Sequence, residues 1–124
     1  MIRNAGFLSA MLLAGLLFGL PARAQDQPLR AVSFSKEVLP ILKTSCGKCH
    51  TGGGAKGKLD LSTYAGLKKG GSDGPAVVEG DPGKSPLVTS ISGDKPEMPK
   101  KAAPLTKAQI STISTWVKEG AKNN

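Results

Sequence analysis

Five consecutive residues, Cys46-Gly47-Lys48-Cys49-His50, constrain this chain more than any other stretch. The chain holds two cysteines and one histidine, and all three fall in this window. C-x-x-C-H is the pattern of covalent haem attachment. The thiols of Cys46 and Cys49 would add to the two vinyl groups on one edge of the porphyrin. The two-residue spacer lets one turn of backbone set the sulfurs at the separation of those vinyls. The next residue then lies beneath the ring, where His50 can offer a neutral imidazole nitrogen to iron. Three other uses explain the window less well. A structural disulfide leaves the adjacent histidine unexplained. A zinc site usually needs four protein ligands, and this cluster supplies three. A thioredoxin-like C-x-x-C needs a βαβ setting, which the surrounding pattern lacks.

The first residues read as a targeting segment. Arg3 supplies a positive start, Gly6 to Leu20 is apolar, and Pro21-Ala22-Arg23-Ala24 ends in a small-x-small cleavage pattern. The expected signal peptide is 1–24, cut between Ala24 and Gln25. The apolar run is short for a spanning helix of ~20 residues, and no cysteine follows the cut to take a lipid. Residues 25–33 are polar, contain Pro28 and read as a flexible arm, and 34–124 is the expected domain. The oxidising compartment outside the cytoplasm would pair Cys46 with Cys49 if haem were missing.

Cleavage leaves 100 residues, one small domain. Its 15 basic and nine acidic residues give a net charge of +6. Leu, Ile, Val and Phe together number only 19 of those 100 residues. A charged chain that poor in large apolar side chains lies at the threshold of disorder, yet its helix signals are clear. A buried porphyrin reconciles the two, because it is an apolar plate that the chain need not encode. The haem-free chain is therefore expected to be largely unfolded.

The periodicities predict an all-α domain of about four helices, joined by long Gly/Pro-rich loops around one haem. Phe34, Val38, Ile41 and Leu42 form an i, i+4, i+7, i+8 stripe over 34–45, with Ser33 or Ser35 as cap. Pro40 inside the stripe predicts a kink or break near Leu39. Ser62 is the expected cap of a short helix to Lys69, with Leu61, Tyr64 and Leu67 inward. The Tyr64 hydroxyl either serves packing alone or bonds a haem propionate. Ala76-Val77-Val78 is too short to assign as a strand. Asp81-Pro82 is a cap followed by a first-turn proline, for a helix to about Ser92 with Leu87, Val88 and Ile91 inward. Thr106 and Gln109 form a capping box for the last helix, with Ile110, Ile113, Trp116 and Val117 on one face and Gly120 at its end. Gly52 to Lys58 also fits the start of a phosphate-binding loop. The next residue is Leu59, not Ser or Thr, and no strand precedes it, so that reading fails.

One methionine remains after residue 24, Met98, within Pro96-Glu97-Met98-Pro99. A thioether is a soft neutral ligand, and Met/His ligation raises haem potential. Flanking prolines stiffen the loop. Met98 is thus the expected sixth ligand opposite His50. Lys95, Lys100 and Lys101 are the nearby alternatives.

Together these residues resemble a bacterial class I-type cytochrome c, and more narrowly the planctomycete-type cytochrome c domain. The resemblance runs from Phe34 through Val38-Leu39-Pro40-Ile41-Leu42 and the motif Cys46 to His50. It continues through Lys58-Leu59-Asp60-Leu61, Gly70-Gly71, Gly74-Pro75-Ala76, Gly80-Asp81-Pro82 and Ser85-Pro86-Leu87. It ends with Met98-Pro99, Pro104-Leu105-Thr106 and Trp116 to Ala121. Lys100 stands where that family often has a second proline. The resemblance implies an all-α fold in which first and last helices cross beside a haem in a crevice. It also implies His50 and Met98 as axial pair and haem attachment outside the cytoplasmic membrane.

With both axial positions held by protein, iron keeps no place for substrate. The expectation is a periplasmic, soluble one-electron carrier containing one haem c, not an enzyme in its own right, and a monomer or a subunit of a redox complex. Its rivals are a haem enzyme or sensor with an open sixth site, an electron-transfer subunit of a periplasmic dehydrogenase, and a haem-free thiol or metal protein. Lys48, Lys100 and Lys101 could ring the exposed haem edge and dock an acidic redox partner, or be ordinary solvated surface. Nucleic acid is a poor partner for an exported chain with 4% aromatic residues.

Overall fold

The computed structural model describes residues 30–124, so the signal segment and arm residues 25–29 lie outside the described residues. Among the described residues four α-helices carry the fold: α1 (Leu39–Cys46), α2 (Tyr64–Lys69), α3 (Pro86–Thr89) and α4 (Lys107–Lys118). No strand occurs among the described residues; the nearest to one is an isolated bridge between Gly71 and Gly74. The fold is a small all-α domain with long connecting loops, as expected.

The first predicted helix is present in two parts. Phe34–Val38 forms a π-helical turn, and only from Leu39 does the chain become α-helical. Pro40 is the cause. It has no N–H to give to Lys36, and its ring crowds that carbonyl. The chain widens one turn ahead, and the Leu39 amide bonds the Phe34 carbonyl instead. Ser33 is the cap, accepting from the Lys36 amide at 3.3 Å, while its own amide donates to Glu37 Oε2 at 2.8 Å. The stripe points inward: Phe34, Val38 and Leu42 are buried and Ile41 is half-buried.

Two further boundaries differ from expectation. Thr63, not Ser62, caps α2, accepting from the Gly66 amide at 3.0 Å; Ser62 is occupied by Asp60. The helix expected from Asp81 to about Ser92 is broken in the middle. Asp81 does cap a first turn, accepting from the Lys84 amide at 3.1 Å, but that turn is the 3₁₀ segment Pro82–Lys84. Pro86 then disfavours helical backbone at Ser85, which is extended (φ −89°, ψ 111°), and α3 restarts at the proline. Ser85 is fully buried, and its hydroxyl ties the break together through the Val78 amide (2.8 Å) and the Asp81 carbonyl (2.8 Å). The inward residues Leu87, Val88 and Ile91 are buried as expected.

The capping box of α4 is complete, with Thr106 and Gln109 exchanging bonds of 2.9 and 3.2 Å. Its end is a Schellman turn: the Ala121 amide reaches the Trp116 carbonyl (2.9 Å) and Gly120 the Val117 carbonyl (3.0 Å), with Gly120 at φ 103°. Helix α4 packs against the opening turn at Phe34–Val38. At that seam the Phe34 ring lies 5.3 Å from Trp116 and 5.2 Å, edge-on, from Tyr64.

The seam also binds the two ends of the domain by hydrogen bonds. Phe34 donates its amide to Asn124 Oδ1 (2.8 Å), Ser35 to the Asn124 backbone oxygen (2.8 Å), and Val32 to Glu119 Oε2 (2.8 Å). Asn124 thereby supplies acceptors for amides at the start of a helix that lack partners within it.

The Tyr64 hydroxyl donates to the Ala121 carbonyl at 2.8 Å. Its single hydrogen is committed there, so the propionate alternative gives way to a packing role. Tyr64→Phe should therefore lower stability by about 1 kcal/mol and leave the haem potential unchanged. Urea unfolding and a redox titration check the two halves of that expectation.

Candidate haem site

Helix α1 ends at Cys46, and the motif continues as a helical turn. The amides of Cys49 and His50 both bond the Cys46 carbonyl, at 3.1 and 3.0 Å. Thr51 closes the turn, its hydroxyl donating to the Gly47 carbonyl at 2.7 Å. Cys46 and Cys49 are both unpaired and partly buried. Burial raises the Cys46 thiol above its ordinary pKa, which favours the protonated form.

The following loop folds back onto this turn. Lys56 donates its amide to the Cys49 carbonyl, and Leu61 donates to the His50 carbonyl, both at 2.8 Å. His50 Nδ1 lies 3.2 Å from the Leu59 carbonyl oxygen. A carbonyl can only accept, so Nδ1 carries the hydrogen and the lone pair of the neutral ring sits on Nε2. That is the tautomer an iron ligand requires, oriented by a backbone partner. The phosphate-loop lookalike, Gly52 to Lys58, consists of two successive 3₁₀ turns.

Asp60 supports this loop. Its Oδ1 accepts from the Ser62 amide (2.9 Å) and the Ser62 hydroxyl (2.5 Å). Those bonds, and a further one from the Gly52 backbone, hold its carboxyl below the ordinary value of 3.8. With the folded value depressed, the bonds' contribution is present above the ordinary pKa and fades only as pH falls through the lower, folded one.

Met98 sits in the loop after α3, its amide donating to the Ser90 carbonyl at 2.9 Å; the Met98–Pro99 peptide is cis. Its side chain is half-buried against the apolar cluster built on Phe34, Leu42, Leu67, Ile91 and Trp116. Cys46 and Leu59 lie against the same cluster. The structure thus brings Cys46, the carbonyl-bearing residue that holds His50, and Met98 to one apolar body. Lys48, Lys100 and Lys101 are exposed. The ion pairs among the described residues involve Arg30, Lys68 and Lys84, not these three.

The donor set fits a haem. Two unpaired thiols stand one turn apart, a neutral imidazole has its free lone pair on the remote nitrogen, and a thioether rests on apolar surface. Sequence reasoning missed Asp60 and the Leu59 carbonyl. Asp60-Leu61-Ser62 carries a signal for the first, since Asp commonly bonds the amide two residues on. A backbone acceptor such as the Leu59 carbonyl leaves no trace in residue identity.

An all-α domain with this turn is consistent with a cytochrome c, a class whose members carry haem c and transfer electrons. Residues 46–102 match the family model described as Planctomycete cytochrome C, and that stretch is a planctomycete-type cytochrome c domain. The match opens at the motif and closes just beyond Met98, leaving most of α1 and all of α4 outside it. No curated protein and no solved structure matches the chain.

Proposed function

We propose that this chain is a periplasmic monohaem electron carrier, exported by residues 1–24 and functional as the domain from 34 to 124. Cys46 and Cys49 form the thioethers, and His50 and Met98 are the axial ligands. The observation that carries the reading is the bond between His50 Nδ1 and the Leu59 carbonyl, which reserves Nε2 for a metal. No helix among the described residues is long and apolar enough to cross a membrane.

Haem c, when bound, supplies a one-electron Fe(III)/Fe(II) couple. The chain's part is to hold that couple at a set potential and keep it rigid. His50 is fixed in ring orientation by Leu59. Met98 offers the soft sulfur that favours the ferrous state. The apolar cluster beside Cys46 and Met98 excludes water from that side, which strengthens every fixed electrostatic effect.

The test is direct. Purified protein should carry the mass of one haem that survives denaturation, and its reduced form should give a six-coordinate low-spin spectrum and resist carbon monoxide at neutral pH. A colourless protein from cells able to mature such cytochromes would end the reading. Carbon monoxide binding to the native ferrous protein would move it to an open-site sensor or enzyme.

Lys48, Lys100 and Lys101 are the proposed docking charges. Reversing Lys100 and Lys101 to Glu should slow oxidation by anionic ferricyanide roughly tenfold at low ionic strength. The effect should shrink as salt is added. Stopped-flow rates that ignore the substitution would remove these lysines from the electron-exit surface.

A further inference from the structure

The histidine turn is held from both sides of a single residue. Leu59, on one side of Asp60, gives its carbonyl to the His50 ring, and Leu61, on the other, gives its amide to the His50 carbonyl. Whatever fixes the Asp60 backbone therefore fixes both bonds together. Three features do so. The Asp60 carboxylate is tied to Ser62 through amide and hydroxyl. Gly66 of α2 packs so closely that a β-carbon there would lie 2.6 Å from the Asp60 carbonyl oxygen and 2.8 Å from its Cβ. Leu61, the next residue, is buried in the core.

We propose that Asp60 is the positioning residue for the axial histidine: its side chain locks the 59–61 backbone that orients the His50 ring, and so helps to set the haem potential. The inference rests on the proposed His50 ligation. The carboxylate is ionised throughout the physiological range, because its donors hold it below the ordinary aspartate value, so the lock stays closed there. A ring hydrogen bond to a carbonyl raises the basicity of the ligating nitrogen. More basic imidazole stabilises ferric iron, so loosening the bond must raise the potential.

The experiment compares Asp60→Ala, Asp60→Asn and Ser62→Ala as holoproteins. Two quantities are read: the midpoint potential, and the rate at which the His50 Nδ1 hydrogen exchanges with solvent by NMR. Asp60→Ala should speed exchange at least tenfold and raise the potential. Asp60→Asn keeps the Oδ1 acceptor and should stay within about twofold of native exchange. Ser62→Ala removes one of the two Ser62 donors and should fall between, and it replaces Asp60→Ala if that variant retains no haem. Native exchange and potential in Asp60→Ala, or in Ser62→Ala where it stands in, overturn the proposal. A native protein without attached haem, or one whose spectrum survives His50→Gln, overturns the ligation reading beneath it. A native His/Met spectrum with silent Asp60 and Ser62 variants removes only the role of Asp60.

Discussion

Met98→Ala should turn a protein that resists carbon monoxide when reduced into one that binds it at neutral pH, with the midpoint potential lower by on the order of 100 mV or more. The sulfur is the softer of the two proposed axial donors, and its loss removes the preference for ferrous iron. The loop around it has few fixings of its own. Met98 is anchored by one backbone bond to Ser90, with Pro96 and Pro99 restricting the chain on either side. No second histidine exists to take its place. A lysine from Lys95, Lys100 or Lys101 is the remaining candidate, and its capture would give a low-spin spectrum of its own at alkaline pH. An unchanged spectrum and potential in the variant would remove Met98 from the iron.

The second large effect is on folding. A Cys46→Ala, Cys49→Ala double variant recovered without haem should lose most of its helical circular dichroism. The helices α1 to α4 contain eight, six, four and 12 residues. Isolated helices shorter than ~12–15 residues are marginal in water, so none of these stands without tertiary packing. The packing partners are few, since large aliphatic residues and Phe make up only 19 of residues 25–124. Phe34, Tyr64 and Trp116 concentrate their contacts at one seam. Cys46, Leu59 and Met98 are only half-buried against the cluster, and this is surface that the proposed porphyrin would cover. Near-native ellipticity in the haem-free variant would show that the chain's own core suffices.

Much of this was legible in the residues because it is local. Ser33, Asp81 and Thr106 cap where their side-chain chemistry says they should, and Pro40 perturbs the first helix at the predicted point. The motif turn follows from spacing alone. Misreadings occurred where two local signals competed. Ser62 and Thr63 are both good caps, and Asp60 decides between them by engaging Ser62. Asp81-Pro82 opens a helix, but Pro86 four residues later closes it, and the sequence pattern of buried Leu87, Val88 and Ile91 concealed the break. The long-range fixings were not legible at all. Nothing in Asn124, Ala121 or Leu59 as residue types marks them as acceptors for Phe34, Tyr64 and His50.

The seam that joins Phe34 to Asn124 spans 90 positions of sequence. Such a closure cannot form until nearly the whole polypeptide has emerged, and loops of that length close late. Until then this seam cannot enclose the segment bearing both thiols, which on the proposed reading leaves Cys46 and Cys49 accessible for haem attachment. If the proposed attachment holds, the long closure favours one order of biosynthesis: cofactor first, locked tertiary structure afterwards.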